Sequence, residues 1–301
     1  MTESACSDLG HEPLPGTAKS GTLFIALEHQ YGWSRDILDG GVFGDELTAR
    51  IKAWLAERGG ALQLIRKPGR LGQIPCDGVT MYVAHCPPGT GDAAPRLEVR
   101  KVCDVEEMLS LDIRLGRPTE GARVVDKPLL LVCTHGKRDR CCAVKGRPIA
   151  QALNNVHPDV VWETSHSKGH RFAPALVLLP WNYSYGRLSA AATNEMLVDA
   201  SSGVLHPAGC RGRGVWDPRG QVAELAAREA IGEWGIDAVA SVEVSDAEAG
   251  GESDAKAVVG FGDGRKVAVE LAKTVTDGVV SSCGDAPGPK KGWRALAAEE
   301  L

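Results

Sequence analysis

No stretch of this sequence approaches the roughly 20 consecutive apolar residues that a helix needs to cross a bilayer, so no membrane insertion is expected. The amino terminus, MTESACSDLGHEPLPG, carries acids and has no apolar core, unlike a secretory signal, and a cytoplasmic location is expected. Basic runs interleaved with aromatic residues are missing, and the formal net charge is -5 with a pI near 5.9, which argues against nucleic-acid binding. Neither a Gly-x-x-x-x-Gly-Lys phosphate loop nor a Gly-x-Gly-x-x-Gly fingerprint occurs in a strand–helix context, and Gly-x-Ser-x-Gly is absent, so nothing supports those nucleotide folds or an acyl-transfer triad. The lack of Cys-x-x-Cys weighs against a thioredoxin-type oxidoreductase. No repeat of 20–50 residues is present, and the two halves share only a faint strand–helix–strand opening.

What is present is a chain of 301 residues, 43% hydrophobic and 24% charged, in the proportions of a globular protein long enough for one large core or two ordinary domains. Nine cysteines, odd in number and unevenly spaced, point away from a disulfide framework and toward metal binding, redox chemistry or plain burial.

Residues 1–20, rich in Gly, Pro and Ser, read as a flexible arm. Residues 21–124 read as an α/β amino-terminal part: a strand over 21–27, a helix over 46–58 with Leu47, Ile51, Trp54 and Leu55 on one face, and strands over 61–65, 79–84 and 97–102. A polar link with Gly116, Pro118, Gly121 and Pro128 leads to a second unit at 125–235. That unit opens on Pro128-Leu129-Leu130-Leu131-Val132, an apolar run suited to a strand buried on both faces. A helix is expected from Arg147-Pro148 to Asn155, strands over 160–163 and 175–179, a short element over 185–188, and helices over 190–200 and 221–234. Residues 236–301 read as a β-rich tail, with strands over 238–244, 257–261 and 266–271 and a Gly262-Asp263-Gly264 hairpin turn.

Two loops carry the chemistry. The first follows the buried strand and offers Cys133 and, after eight intervening residues, Cys142; the second follows the next strand and offers His166 and His170 with three between. In open α/β sheets, loops beyond the carboxyl ends of neighbouring strands converge on ligands. Two thiolates and two imidazoles complete a four-donor set for a transition metal or an iron–sulfur cluster. Structural zinc pairs its ligands two to four residues apart, which suits the histidines better than the cysteines. Rieske centres interleave Cys and His in both segments, and here the second such segment is missing.

These residues resemble the sucrase/ferredoxin-like family. The resemblance rests on Cys133-x-His135-Gly136-x-Arg138-Asp139-x-x-Cys142, on Gly146, and on Ser165-His166-x-x-Gly169-His170-Arg171-Phe172-Ala173. It continues through Leu178-x-Pro180, Tyr185-Gly186-Arg187-Leu188 and Arg211-Gly212-Arg213, and less sharply takes in Glu12-Pro13-Leu14-x-Gly16-Thr17-Ala18 and Ser282-Cys283-Gly284. It implies a thioredoxin-like ferredoxin domain at 125–235 and a [2Fe-2S] cluster on Cys133, Cys142, His166 and His170. Related members often carry Arg before a single Cys where this chain has Cys141-Cys142. By register the ligand is Cys142, with Cys141 as the fallback.

The expected function is therefore ferredoxin-like electron transfer to an unidentified redox partner protein, more a carrier than an enzyme. Replacing two thiolates by two neutral imidazoles raises the potential above that of all-cysteine plant-type clusters, and a ring nitrogen near solvent makes it fall as pH rises. The alternatives are a structural zinc protein using the same four ligands and a cysteine-dependent thiol oxidoreductase working through Cys141 and Cys142. Arg138 and Asp139 are expected to brace the loop as an ion pair, His135 to lie beside the ligands or on the surface, and Arg171 to sit near the cluster or cap a strand. Cys6, Cys76, Cys86, Cys103, Cys210 and Cys283 read as small core or surface residues, and Arg211-Gly212-Arg213-Gly214 as a turn with solvated arginines. The sucrase part of the family name finds no pair of positioned carboxylates to support it.

Overall fold

The computed structural model describes residues 5–30, 32–74, 78–89, 94–247 and 253–301, which leaves Cys76 outside the described residues. The first half runs β1 (Leu23–Glu28), α1 (Asp45–Arg58), β2 (Gly60–Arg66), β3 (Val79–His85), β4 (Arg96–Val102), α2 (Val105–Ser110) and a short β5 (Arg123–Val124). The second runs β6 (Leu129–Cys133), α3 (Arg140–Asn154), β7 (Val161–Thr164), β8 (Ala175–Leu179), β9 (Tyr183–Gly186), α4 (Ala190–Ser201), β10 (Cys210–Arg213) and α5 (Pro218–Ile231). The tail contributes β11 (Val239–Asp246), β12 (Ala255–Phe261), β13 (Lys266–Val279) and β14 (Gly288–Glu300).

Both halves have the same plan. β1 and β2 are parallel around α1, with β3 antiparallel to β1 and β4 antiparallel to β3. β6 and β7 are likewise parallel around α3, with β8 antiparallel to β6 and β9 antiparallel to β8. The halves meet where β2 pairs antiparallel with β7, Ile65 opposite Thr164 and Arg66 opposite Glu163, so ten strands form one mixed sheet in the order β10-β9-β8-β6-β7-β2-β1-β3-β4-β5. The faint shared opening in the sequence thus corresponds to a full repeat of topology, which packing preserves while side chains diverge.

Alternation along the strands explains the layers. Leu23, Ile25 and Leu27 pack with Ile51, Trp54 and Leu55 of α1, and Leu130 and Val132 pack with Ile149, Ala150 and Leu153 of α3. The intervening residues, Phe24, Ala26, Leu129 and Leu131, join Ile65 and Trp162 in a cluster on the other face that spans both halves. The tail is a separate antiparallel sheet in the order β11-β12-β13-β14, closed by Val222, Ala223 and Ala227 of α5. No helix among the described residues is long and apolar enough to cross a membrane.

Several elements depart from the sequence reading. Helix α3 starts at Arg140 rather than near Arg147, because the Asp139 side chain caps it by accepting from the Cys141 amide. Pro148 therefore lies inside the helix, where it forfeits one hydrogen bond. Strand β14 was not expected; its Ala- and Glu-rich end has helical propensity, which pairing with β13 overrides. The segment before β1, read as an arm, is packed where it is described: Cys6, Ser7 and Glu12 are buried, and the Gly16 amide donates to the Arg211 carbonyl at 3.0 Å.

The arginines read as solvated are in fact buried in β10, Arg211 and Arg213 each at 1% exposure. A further buried group ties α5 to β9. Tyr183 donates to Glu224 Oε1 at 2.5 Å, Trp216 donates to Oε2 at 2.9 Å, and Arg228 pairs with the same carboxylate at 3.1 Å. Removing the carboxylate strands a fully buried guanidinium. Glu224→Ala is therefore expected to lower unfolding stability by about 3–5 kcal/mol in urea denaturation, and a loss under about 1 kcal/mol would show that this network does not hold α5 in place.

Candidate metal centre

The end of β6, the start of α3 and the loop after β7 meet at the carboxyl ends of two central parallel strands. Cys133 is the last residue of β6, Cys142 lies in the first turn of α3, and His166 follows β7 by two residues; their ligand atoms all lie within 4.8 Å of one another. His170 opens the 3₁₀ turn at residues 170–172, and its ring centroid is 5.2 Å from that of His166. Both cysteines are fully buried, and both histidines line a cleft of about 580 Å³ at the junction of the two halves.

The two thiols are pushed in opposite directions. The hydrogen bond from Cys142 is the main cause holding Cys133 well below the ordinary thiol range, against burial and with help from His166, and the same bond pushes the Cys142 thiol up. The first turn of α3 adds its positive end, which favours a thiolate there. Burial lowers the pKa of His170 against the pull of Asp139, which favours the neutral imidazole that a ligand must be.

Surrounding groups fix the two imidazoles. His135 is buried: its Nε2 donates to the Ser34 carbonyl at 2.7 Å, so its Nδ1 is free to accept the His166 amide at 3.1 Å. His170 Nε2 donates to the Ser281 carbonyl at 2.6 Å and lies 2.9 Å from Ser282 Oγ. Nδ1 of His166 and Nδ1 of His170 are buried with no hydrogen-bonding partner among the described residues. Buried polar atoms seldom stay unpaired, so an orphaned nitrogen on each imidazole, one ring gathered with the two thiols and the other beside that ring, suits a metal group, and the residues fit one.

Supports that carried little meaning in the sequence converge on the histidine loop. Arg211 donates to Thr17 Oγ1 at 3.0 Å, to the Thr17 carbonyl and to the Lys168 carbonyl, and stacks over Phe172. Gly169 has φ +92°, and a Cβ there would meet the Arg211 guanidinium at 2.5 Å. Arg171 pairs with Glu12 rather than reaching into the site, and Arg187 donates to the Glu12 carbonyl at 3.1 Å. Asp139 is not paired with Arg138. Its carboxylate accepts the Cys141 and Cys283 amides, each at 2.9 Å. Burial raises the Asp139 pKa, but those bonds hold the carboxyl below its usual range.

Cys141, adjacent to Cys142, faces away from this group. Its Sγ lies 3.3 Å from that of Cys6 and 3.1 Å from that of Cys283, residues that sequence reasoning treated as incidental. The signals in the sequence were the doubled cysteine and the Ser282-Cys283-Gly284 match.

No curated protein and no solved structure matched the chain. A family model, described as sucrase/ferredoxin-like, matches residues 14–212, more than half of the chain, including the loops that carry Cys133, Cys142, His166 and His170. With that span matched end to end, the chain belongs to the sucrase/ferredoxin-like family.

Proposed function

We propose that this protein is a one-electron carrier whose [2Fe-2S] group is held by Cys133, Cys142, His166 and His170, in the second of two thioredoxin-like halves. The observation that carries this reading is the gathering of the Cys133, Cys142 and His166 donor atoms within 4.8 Å of one another, with the His170 ring beside that of His166 and a buried Nδ1 on each imidazole that has no partner among the described residues. The strand order β7-β6-β8-β9, with α3 between the two parallel strands, is the arrangement expected of a thioredoxin-like unit, and β2-β1-β3-β4 repeats it. When bound, such a group supplies single-electron transfer.

The chain's own residues hold and orient it. Cys133 sits on a rigid strand and Cys142 on a capped helix, so the sulfur pair is preorganised. The Ser281 carbonyl keeps the His170 proton on Nε2 and leaves Nδ1 as the donor. His166 is only partly buried and lines the cleft, where Arg35, Lys52, Arg138 and Lys168 make a basic rim around a single carboxylate, Asp36. That rim suits an acidic redox partner, with association weakening as salt screens it. It does not suit glycoside hydrolysis, which needs two carboxylates.

Because the His170 proton is donated to the Ser281 carbonyl, His166 is the imidazole placed to release a proton on oxidation. The oxidised form then binds fewer protons, so raising the pH favours it and the midpoint potential falls, by about 59 mV per unit for one proton and one electron. The test is iron and labile-sulfide analysis with electron paramagnetic resonance of the dithionite-reduced protein, followed by potentiometry across pH. Expected are two irons and two sulfides per chain, a potential above about -400 mV, and a slope that His166→Cys abolishes and His170→Cys retains. Colourless protein with zinc bound to these four residues would overturn the carrier; a flat potential would remove only the proton coupling.

A further inference from the structure

The second sulfur cluster is built from the two ends of the chain. Cys6 precedes β1, Cys283 lies in the turn between β13 and β14, and Cys141 is in the first turn of α3. Their Sγ atoms form a near-equilateral triangle with sides of 3.3 Å, 3.1 Å and 3.7 Å, and an Asp139 oxygen lies within 4.8 Å of all three. Cys6 and Cys141 are buried and Cys283 half-buried.

Size and charge both restrict what this cluster is for. Four donors around one zinc-sized ion, with sulfur about 2.3 Å from the metal, place the sulfurs about 3.8 Å apart, close to the triangle seen here. A disulfide joins two sulfurs at about 2.05 Å and leaves the third thiol of the triangle unused. A multi-iron cubane spreads its cysteine sulfurs much farther. Asp139, which also caps α3, puts a carboxylate beside three crowded thiols, negative charge that a redox thiol pair does not need and a cation offsets. Burial and the neighbouring Cys141 push the Cys6 thiol up, and burial raises Cys283 too, the crowding that a metal relieves by displacing protons.

We propose that Cys6, Cys141 and Cys283, with Asp139 as fourth donor, bind a single thiophilic divalent cation of the zinc class, separate from the group held by Cys133, Cys142, His166 and His170. The adjacent cysteines of α3 then divide between two sites. The cation clamps both ends of the chain onto the helix that carries Cys142. It also fixes Ser281 and Ser282, the residues just before Cys283 that hold His170 from behind. This site does not depend on iron in the other one.

The experiment is metal analysis of the full chain purified under reductant from zinc-containing medium. One zinc per chain is expected. Cys6→Ser/Cys283→Ser loses it and keeps its iron, whereas Cys133→Ser/Cys142→Ser loses iron and keeps zinc, so failure of this site and failure of the electron-carrier reading give different patterns. Zinc-edge X-ray absorption of the unaltered protein reads the site without any variant: three sulfurs at about 2.3 Å and one oxygen at about 2.0 Å are expected. Adding Cd²⁺ to metal-free Cys133→Ser/Cys142→Ser protein should raise an ultraviolet thiolate-to-cadmium band that further replacement of Cys6 and Cys283 by Ser removes. Absence of zinc, zinc lost with Cys133→Ser/Cys142→Ser, or a first shell of two sulfurs and two nitrogens would each overturn the assignment.

Discussion

Cys142→Ser is expected to strip iron and labile sulfide from the purified protein, and Cys141→Ser to leave both in place. The two residues are neighbours, but α-helical geometry rotates them by about 100°. Cys142 is gathered with Cys133 and His166, while Cys141 packs on Cys6 and Cys283. Loss of a hydrogen-bonding partner behind a ligand typically costs 10–100-fold in metal affinity, so loss of a ligand should cost at least about that. Iron and sulfide assays on the two variants, purified side by side, decide it. Iron lost from Cys141→Ser and retained by Cys142→Ser would reverse the ligand assignment. In Cys141→Ser the zinc, not the iron, is expected to be missing.

Gly146→Ala should destabilise the protein although it lies in mid-helix, where alanine ordinarily gains about 1 kcal/mol over glycine. Gly146 is where α3 crosses β6, and a Cβ there would overlap the carbonyl oxygen of Cys133, a backbone atom that cannot swing aside. Overpacking of this kind costs about 1–3 kcal/mol and more against backbone, so packing outweighs propensity. Relief requires α3 to lift from β6, which separates Cys142 from Cys133. The expected result is a net loss of about 2 kcal/mol in urea denaturation together with reduced iron content. A stabilised variant with full iron would show that the helix and strand are not in close contact.

Much of the fold was legible because it rests on local period. Alternation and apolar runs located β1, β2, β3, β4, β6, β7 and β8 to within a residue or two, and helical spacing located α1 and α4. Helix α3 was placed late because Pro148 resembles a first-turn residue and the true cap, Asp139, sits in a loop crowded with other signals. Arg211 and Arg213 misled for a similar reason: a Gly-flanked arginine pair has the composition of a solvated turn. What buries Arg211 is a ring of carbonyls and a hydroxyl from residues 17 and 168, far away in the chain.

By itself the sequence determined the cysteine and histidine pairs and the two loops that bear them, since a strand end, a short loop and a helix start are written in adjacent residues. Only the tertiary structure decided that the two halves repeat one topology and share one sheet through β2 and β7. Packing likewise decided which way each of the paired cysteines faces, and that Cys6 and Cys283 meet Cys141 across almost the full length of the chain. These are relations between distant residues, set by which surfaces bury one another, and no local pattern encodes them.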